Sequence, residues 1–245
     1  MANKYYQPGE TRAGKVGDLF GSIARRYDLI NDLQSFGLHR AWKRRLVGLA
    51  APRTGERALD ICCGTGDIAF ALARRGAAVM GLDFSEPMLE VARAKAPARG
   101  PGSEGRGSVE FLRGDAEQLP FKDNRFEIVT VGYGLRNLAS WERGLAEMER
   151  VARPGGRLLV LDFGKPDNAV WRGFYFAYLG RLVPIFGKVF CRNSQAYAYI
   201  LESLRHYPAQ HGIASKLREM GCADVRTVNL LGGVMSISCA VKRGA

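Results

Sequence analysis

Arg57 to Asp83 reads RALDICCGTGDIAFALARRGAAVMGLD, and this stretch restricts the fold more than any other. Arg57 to Cys62 is a short apolar run, ended by Gly64-Thr65-Gly66. Asp67 to Arg75 carries helical spacing, with Ile68, Leu72 and the small Ala69 and Ala73 on the inner side. Ala77 to Leu82 is a second apolar run, and Asp83 closes it. Strand, glycine turn, helix and strand make a βαβ unit whose turn lets a ligand lie against backbone.

Charge narrows the ligand. Gly64-Thr65-Gly66-Asp67-Ile68-Ala69 also fits the dinucleotide pattern G-x-G-x-x-A, which would rest a pyrophosphate on the helix N-terminus. Asp67 occupies that terminus and Asp60 lies just before the turn. Two carboxylates repel a pyrophosphate and suit a ligand with an ammonium and a sulfonium, which is S-adenosylmethionine. Asp83 can accept both ribose hydroxyls. These residues argue against an NAD-dependent oxidoreductase, whose cofactor would share only the Asp83 contact. The bland alternative is a glycine turn kept for helix–strand packing.

The rest of the chain continues the alternation. Ser85 caps a helix from Glu86 to about Ala96, and Pro97 to Ser108 reads as a flexible loop. Strands follow at Val109 to Leu112, Phe126 to Val131 and Arg157 to Phe163, with a helix from Ser140 to Ala152. A last helix at Ile213 to Met220 precedes strands at Ala223 to Leu230 and Val234 to Val241. This spacing predicts an α/β fold with a doubly wound, mostly parallel seven-stranded sheet, Rossmann-like, in a single domain spanning 1–245. Residues 1–56 form an N-terminal helical cap: a mobile start to residue 15, a helix from Val16 to Ile30, a turn from Asn31 to Leu38, and a helix from His39 to Ala51. Residues 57–163 are the cofactor-binding core. Residues 164–212 are a helical insertion after the fifth strand, aromatic and basic, and residues 213–245 complete the sheet.

The net charge of +12 is unevenly distributed. Residues 57–163 hold 15 basic and 15 acidic side chains; residues 1–56 hold 10 and 5, and residues 164–245 hold 11 and 4. Basic flanks on a neutral core point to an anionic surface, membrane or nucleic acid. The run from Trp171 to Phe190 is interrupted by Arg172, Arg181 and Lys188 and falls short of a spanning helix. Cys62, Cys63, Cys191, Cys222 and Cys239 form no C-x-x-C pair, so a metal site is not expected. With no apolar signal at the N-terminus, a cytoplasmic protein peripheral at the membrane is the expected location.

Three further stretches carry a resemblance. They are YDLINDLQSFGLHRAWK from Tyr27 to Lys43, Gly134-Leu135-Arg136-Asn137, and RVARPGGRLLVLDF from Arg150 to Phe163. Together they resemble the ubiquinone/menaquinone biosynthesis C-methyltransferase family, over nearly the whole chain. The resemblance implies a class I methyltransferase fold, S-adenosylmethionine as donor and a polyprenylated quinol methylated on ring carbon. The implied reaction is demethylmenaquinol to menaquinol, or the corresponding step on a polyprenyl-methoxy-benzoquinol. It implies cofactor contacts at Thr65, Asp83, Asp115 and Ala116, beside Asp60, Gly64 and Gly66 of the turn. Gly132 is a further cofactor-binding candidate; the family often has serine there, and if that serine contacts the cofactor by its side chain, the contact is missing here.

A quinol ring carbon becomes nucleophilic when the neighbouring hydroxyl ionises, and a phenol titrates near ~10. A fixed guanidinium would stabilise the phenolate. Arg136, in the loop after the fourth strand and flanked by Gly132 and Gly134, is the candidate, with Asn137 on a quinol oxygen. Arg136 also reads as a surface residue or as a partner of Asp162. Tyr27 and His39 are further catalytic candidates, and they also read as a core tyrosine and a surface histidine. Trp171 to Phe190 reads as a lid over a greasy acceptor or an interfacial helix. A methyltransferase acting on RNA would use the basic flanks for phosphates, but no base-stacking module is recognisable, so nucleic acid is not the expected partner. A homo-oligomer or a quinone-synthesis complex is compatible with the sequence, as is a non-catalytic scaffold of such a complex.

Overall fold

Helices α1 (Tyr27–Ser35) and α2 (Leu38–Ala50) precede the sheet in the computed structural model, which describes residues 21, 24, 27–96, 107–182 and 201–244. The expected mobile start, most of the helix expected from Val16, the loop over 97–106, and Phe186, Lys188, Phe190 and Cys191 of the insertion lie outside the described residues.

The cap corrects one boundary. Asn31 to Ser35, expected to turn, continues α1, and the turn shrinks to Phe36 and Gly37. The Ser35 hydroxyl donates to the Asn31 carbonyl at 2.6 Å and accepts the His39 N–H at 3.2 Å. One side chain therefore closes α1 and starts α2, while Gly37 supplies the left-handed φ of 74°.

The βαβ unit forms as its spacing predicts. β1 (Arg57–Ile61), α3 (Asp67–Ala73) and β2 (Ala78–Asp83) come first, with Ala58 beside Val79 and Ile61 beside Leu82 in parallel register. Then come α4 (Glu86–Lys95), β3 (Val109–Arg113), β4 (Phe126–Gly132), a 3-10 turn at Leu135–Asn137 and α5 (Trp141–Val151). The Ser140 hydroxyl caps α5 by accepting the Arg143 N–H at 3.1 Å. β5 (Ala152–Phe163) starts five residues earlier than expected, because its ladder to β4 begins at Phe126 beside Ala152 and resumes after a register shift with Ile128 beside Arg157.

The insertion holds α6 (Ala169–Ala177), a π turn at Tyr178–Leu182 and a helical stretch at 201–206. The next helix, α7 (Ala209–Glu219), starts four residues before the expected Ile213. β6 (Ala223–Leu230) and β7 (Met235–Val241) finish the sheet. Its order is β3-β2-β1-β4-β5-β7-β6, with β7 antiparallel to both neighbours.

Alternation along the strands fills two apolar layers. Leu59, Val129 and Val131 pack toward α5 and α7 through Leu145, Met148, Ile213 and Leu217. Ala58 and Ile128 pack toward α2 and α3 through Leu46, Val47, Ile68 and Leu72. Helices on both faces explain why β4 is buried from Phe126 to Val131. The order reverses between β2-β1 and β4, and that crevice at the strands' carboxyl ends is where such sheets bind ligands. Among the described residues no helix is long and apolar enough to cross a membrane.

Candidate active site

A cavity opens at this crevice, at the switch point where such sheets place their ligands. Asp83, at the end of β2, binds its two neighbouring turns. Its Oδ2 accepts the Gly64 N–H at 2.8 Å and its Oδ1 accepts the Ser85 N–H at 2.9 Å. Burial raises its pKa, and the N–H groups of Ser85 and Gly64 oppose that shift. Gly64 has a φ of +54° and nothing within 4 Å of where a Cβ would sit, so the turn leaves room on the cavity side. Asp115 and Ala116 line the same cavity with Phe84, Ser85 and Met88. Asp115 is fixed by the Glu117 N–H, which donates to its Oδ1 at 2.8 Å.

The opposite wall comes from the loop after β4 and from α1: Gly132, Tyr133, Gly134, Asn137, Leu138 and Tyr27. Cys62 after β1 and Tyr133 after β4 both take a positive φ, 51° and 63°. Non-glycine residues hold that conformation at a cost, typically where a site fixes them. The Asn137 amide donates to the Tyr133 carbonyl at 3.0 Å, which orients its Oδ1. That oxygen and the Tyr133 hydroxyl are buried without a hydrogen-bond partner. Tyr133 was missed in the sequence; its signal is a bulky residue between two glycines in a strand-end turn.

Gly132 and Gly134 line the cavity, and both also meet protein where a Cβ would stand. A Cβ at Gly134 would lie 2.2 Å from the Cys62 Cβ, and one at Gly132 would lie 2.4 Å from the Ile68 Cδ1. They let the two strand-end turns and α3 close on each other. Gly66 likewise faces Phe70 and Phe111, at 2.8 and 2.9 Å from its would-be Cβ, and its φ of +86° requires glycine.

Five other sequence candidates stand outside the cavity lining. Asp60 is 1% exposed, accepts the Thr130 hydroxyl at 2.8 Å, and burial pushes its pKa up to about 7. The Thr65 hydroxyl donates to Asp28 Oδ1 at 2.8 Å. Asp67, invoked above as a neighbour for a cationic ligand, is instead neutralised by Lys43 at 2.7 Å. His39 is buried, with its Nε2 on Asp32 at 2.8 Å, and burial lowers its pKa.

Arg136 is the fifth, and the alternative reading, a partner of Asp162, is the one observed. Its Nε lies 3.2 Å from Asp162 Oδ1, its backbone N–H donates to Asp162 Oδ2 at 3.3 Å, and its NH1 donates to Ser203 Oγ at 2.6 Å. The guanidinium also stacks 4.9 Å from the Phe163 ring centroid. Both charged side chains are nearly dry, at 5% and 2% exposed. Removing one partner strands the other, so Arg136→Ala should cost about 3–5 kcal/mol in urea unfolding. The double variant Arg136→Met/Asp162→Leu should recover most of that loss; a single variant as stable as wild type would contradict the pairing.

A model of the ubiE/COQ5 methyltransferase family matches residues 8–242. The chain is 41% identical over 239 residues to the ubiquinone/menaquinone biosynthesis C-methyltransferase UbiE of Stutzerimonas stutzeri (strain A1501), covering 96% of this chain and 91% of that one. It is 40% identical over 232 residues to the demethylmenaquinone methyltransferase of Desulfitobacterium hafniense (strain Y51), covering 94% and 90%. Among solved structures, a SAM-dependent methyltransferase of Thermotoga maritima, described as a possible histamine N-methyltransferase, superposes with a TM-score of 0.66. It covers 92% of this chain and 99% of that one at 19% identity, which supports the fold. The chain belongs to the ubiE/COQ5 methyltransferase family.

Proposed function

We propose that this methyltransferase transfers a methyl group from S-adenosylmethionine to a ring carbon of a polyprenylated quinol, converting demethylmenaquinol to menaquinol. The observation that carries the reading is the pair of unpartnered buried polar atoms, Tyr133 Oη and Asn137 Oδ1, in the cavity that Asp83 also lines. Asn137 Oδ1 accepts and has no donor, which fits a ring hydroxyl, the group a quinol has and a quinone lacks. Burial raises the pKa of Tyr27 and drives that of Tyr133 well up, so both keep their protons at neutral pH and can donate to a phenolate oxygen.

Asp83, Asp115, Ala116 and the open backbone at Gly64 would hold the cofactor, the carboxylate of Asp83 on the ribose. Bound S-adenosylmethionine supplies an electrophilic methyl group. The chain's own task is alignment of the ring carbon and stabilisation of the phenolate. Arg136 contributes from behind the cavity, by fixing the turn that carries Asn137.

The purified protein should methylate a short-prenyl demethylnaphthoquinol under reducing conditions, read by mass spectrometry. Asn137→Ala and Tyr133→Phe should each lower kcat/KM about tenfold or more while cofactor affinity holds. Turnover of a methoxy-benzoquinol alone would move the reading to ubiquinone synthesis, a branch that the name of the Stutzerimonas relative also includes. Turnover of neither quinol would overturn it.

The acceptor's chain also favours docking on anionic membrane. Val170, Trp171 and Phe174 stand 69%, 45% and 67% exposed on α6, in the basic C-terminal part of the chain. Vesicle co-sedimentation should rise with anionic lipid and fall with salt. Equal binding to neutral vesicles at every salt concentration would contradict this.

A further inference from the structure

α1 has no fully buried side chain among those described, and Leu29 on it is 60% exposed. Polar contacts help to hold it. Asp28, next to Tyr27, makes two of them, at the other end of α1 from the Gln34 carbonyl, which accepts the Tyr178 hydroxyl at 2.8 Å. Its Oδ1 accepts the Thr65 hydroxyl at 2.8 Å, from the turn between β1 and α3, and its Oδ2 pairs with Lys95 at the end of α4. Lys95 Nζ also lies 3.7 Å from Asp67 Oδ1, and Asp67 Oδ2 accepts Lys43 of α2 at 2.7 Å. Two acids and two lysines thus join α1, α2, α3 and α4 around the cofactor turn. Thr65 is 2% exposed and holds the only neutral link in this chain of charges.

We propose that Asp28 is a positioning residue: through the Thr65 hydroxyl it latches α1 to the glycine turn and so fixes Tyr27 in the wall of the acceptor cavity. The proposal rests on the reading that the acceptor occupies the Tyr27 side of the cavity. It gives the Thr65 hydroxyl a different task from the cofactor contact that the family resemblance implies. The latch lies outside the reacting groups, yet it decides whether one of them is in place.

The test uses the full chain with two near-isosteric variants. Thr65→Val removes the hydroxyl, and Asp28→Asn keeps an oxygen for Thr65 but drops the charge that Lys95 pairs with. Amide hydrogen exchange in residues 27–35 should rise about tenfold in Thr65→Val and less in Asp28→Asn, with the affinity for S-adenosylhomocysteine unchanged. The acceptor KM should rise about tenfold in Thr65→Val. In a Tyr27→Ala background the same change should alter KM by less than about twofold, because the two act through one contact. Unchanged exchange in residues 27–35 overturns the latch. So does a loss of S-adenosylhomocysteine affinity without faster exchange, which would assign the hydroxyl to the cofactor. If no quinol is methylated, the reading of the reaction fails, and the exchange measurement still decides the latch.

Discussion

The carboxylate of Asp83 is the tie on which the site depends. It accepts one N–H from the turn after β1 and one from the turn after β2, so it sets the distance between two loops that no ladder joins beyond the strand ends. Parallel pairing of β1 with β2 and β4 brings those loops to one crevice, and Asp83 keeps that crevice open at Gly64. A partly desolvated carboxylate is costly unless hydrogen-bonded, and here two backbone groups offset that cost. The same residue lines the cavity.

Packing on the far side of the crevice is equally specific. Gly134 brings the β4 loop against Cys62, and both Cys62 and Tyr133 adopt left-handed backbone to make that approach. The Arg136–Asp162 pair then anchors the 3-10 turn from below, with Ser203 tying it to the insertion after β5. Asn137 gains its orientation from this arrangement, through the Tyr133 carbonyl. Three of the buried polar atoms without partners, Ser85 Oγ, Tyr133 Oη and Asn137 Oδ1, belong to residues of the cavity wall, where a ligand can satisfy them.

Much of this was legible in the chain. The apolar runs from Arg57, Ala77, Val109, Phe126, Arg157, Ala223 and Val234 became the seven strands, because side-chain period and turn chemistry act locally. The glycine turn and Asp83 were legible for the same reason. Thr65 and Asp67 were not: the two helices of the cap draw their side chains, through Asp28 37 residues away and Lys43 24 residues away. Arg136 pairs with Asp162 26 residues on, a partner the sequence offered as an alternative, and with Ser203 67 residues on, which it did not. Which side of a turn a polar group serves depends on what packs there, and spacing along the chain does not carry that information. Tyr133 escaped notice because its importance lies in an unpaired hydroxyl, a property of the folded surroundings.

The central claim is that Asp83 holds the ribose of the cofactor in this crevice. Calorimetric titration of S-adenosylhomocysteine and its 2′,3′-dideoxy analogue tests it directly, with wild type and Asp83→Asn compared in one cycle. Wild type should prefer the intact ribose by about tenfold or more, the strength of a charge-assisted hydrogen bond, and Asp83→Asn should lose most of that preference. A variant that still discriminates between the two ligands as wild type does would contradict the account.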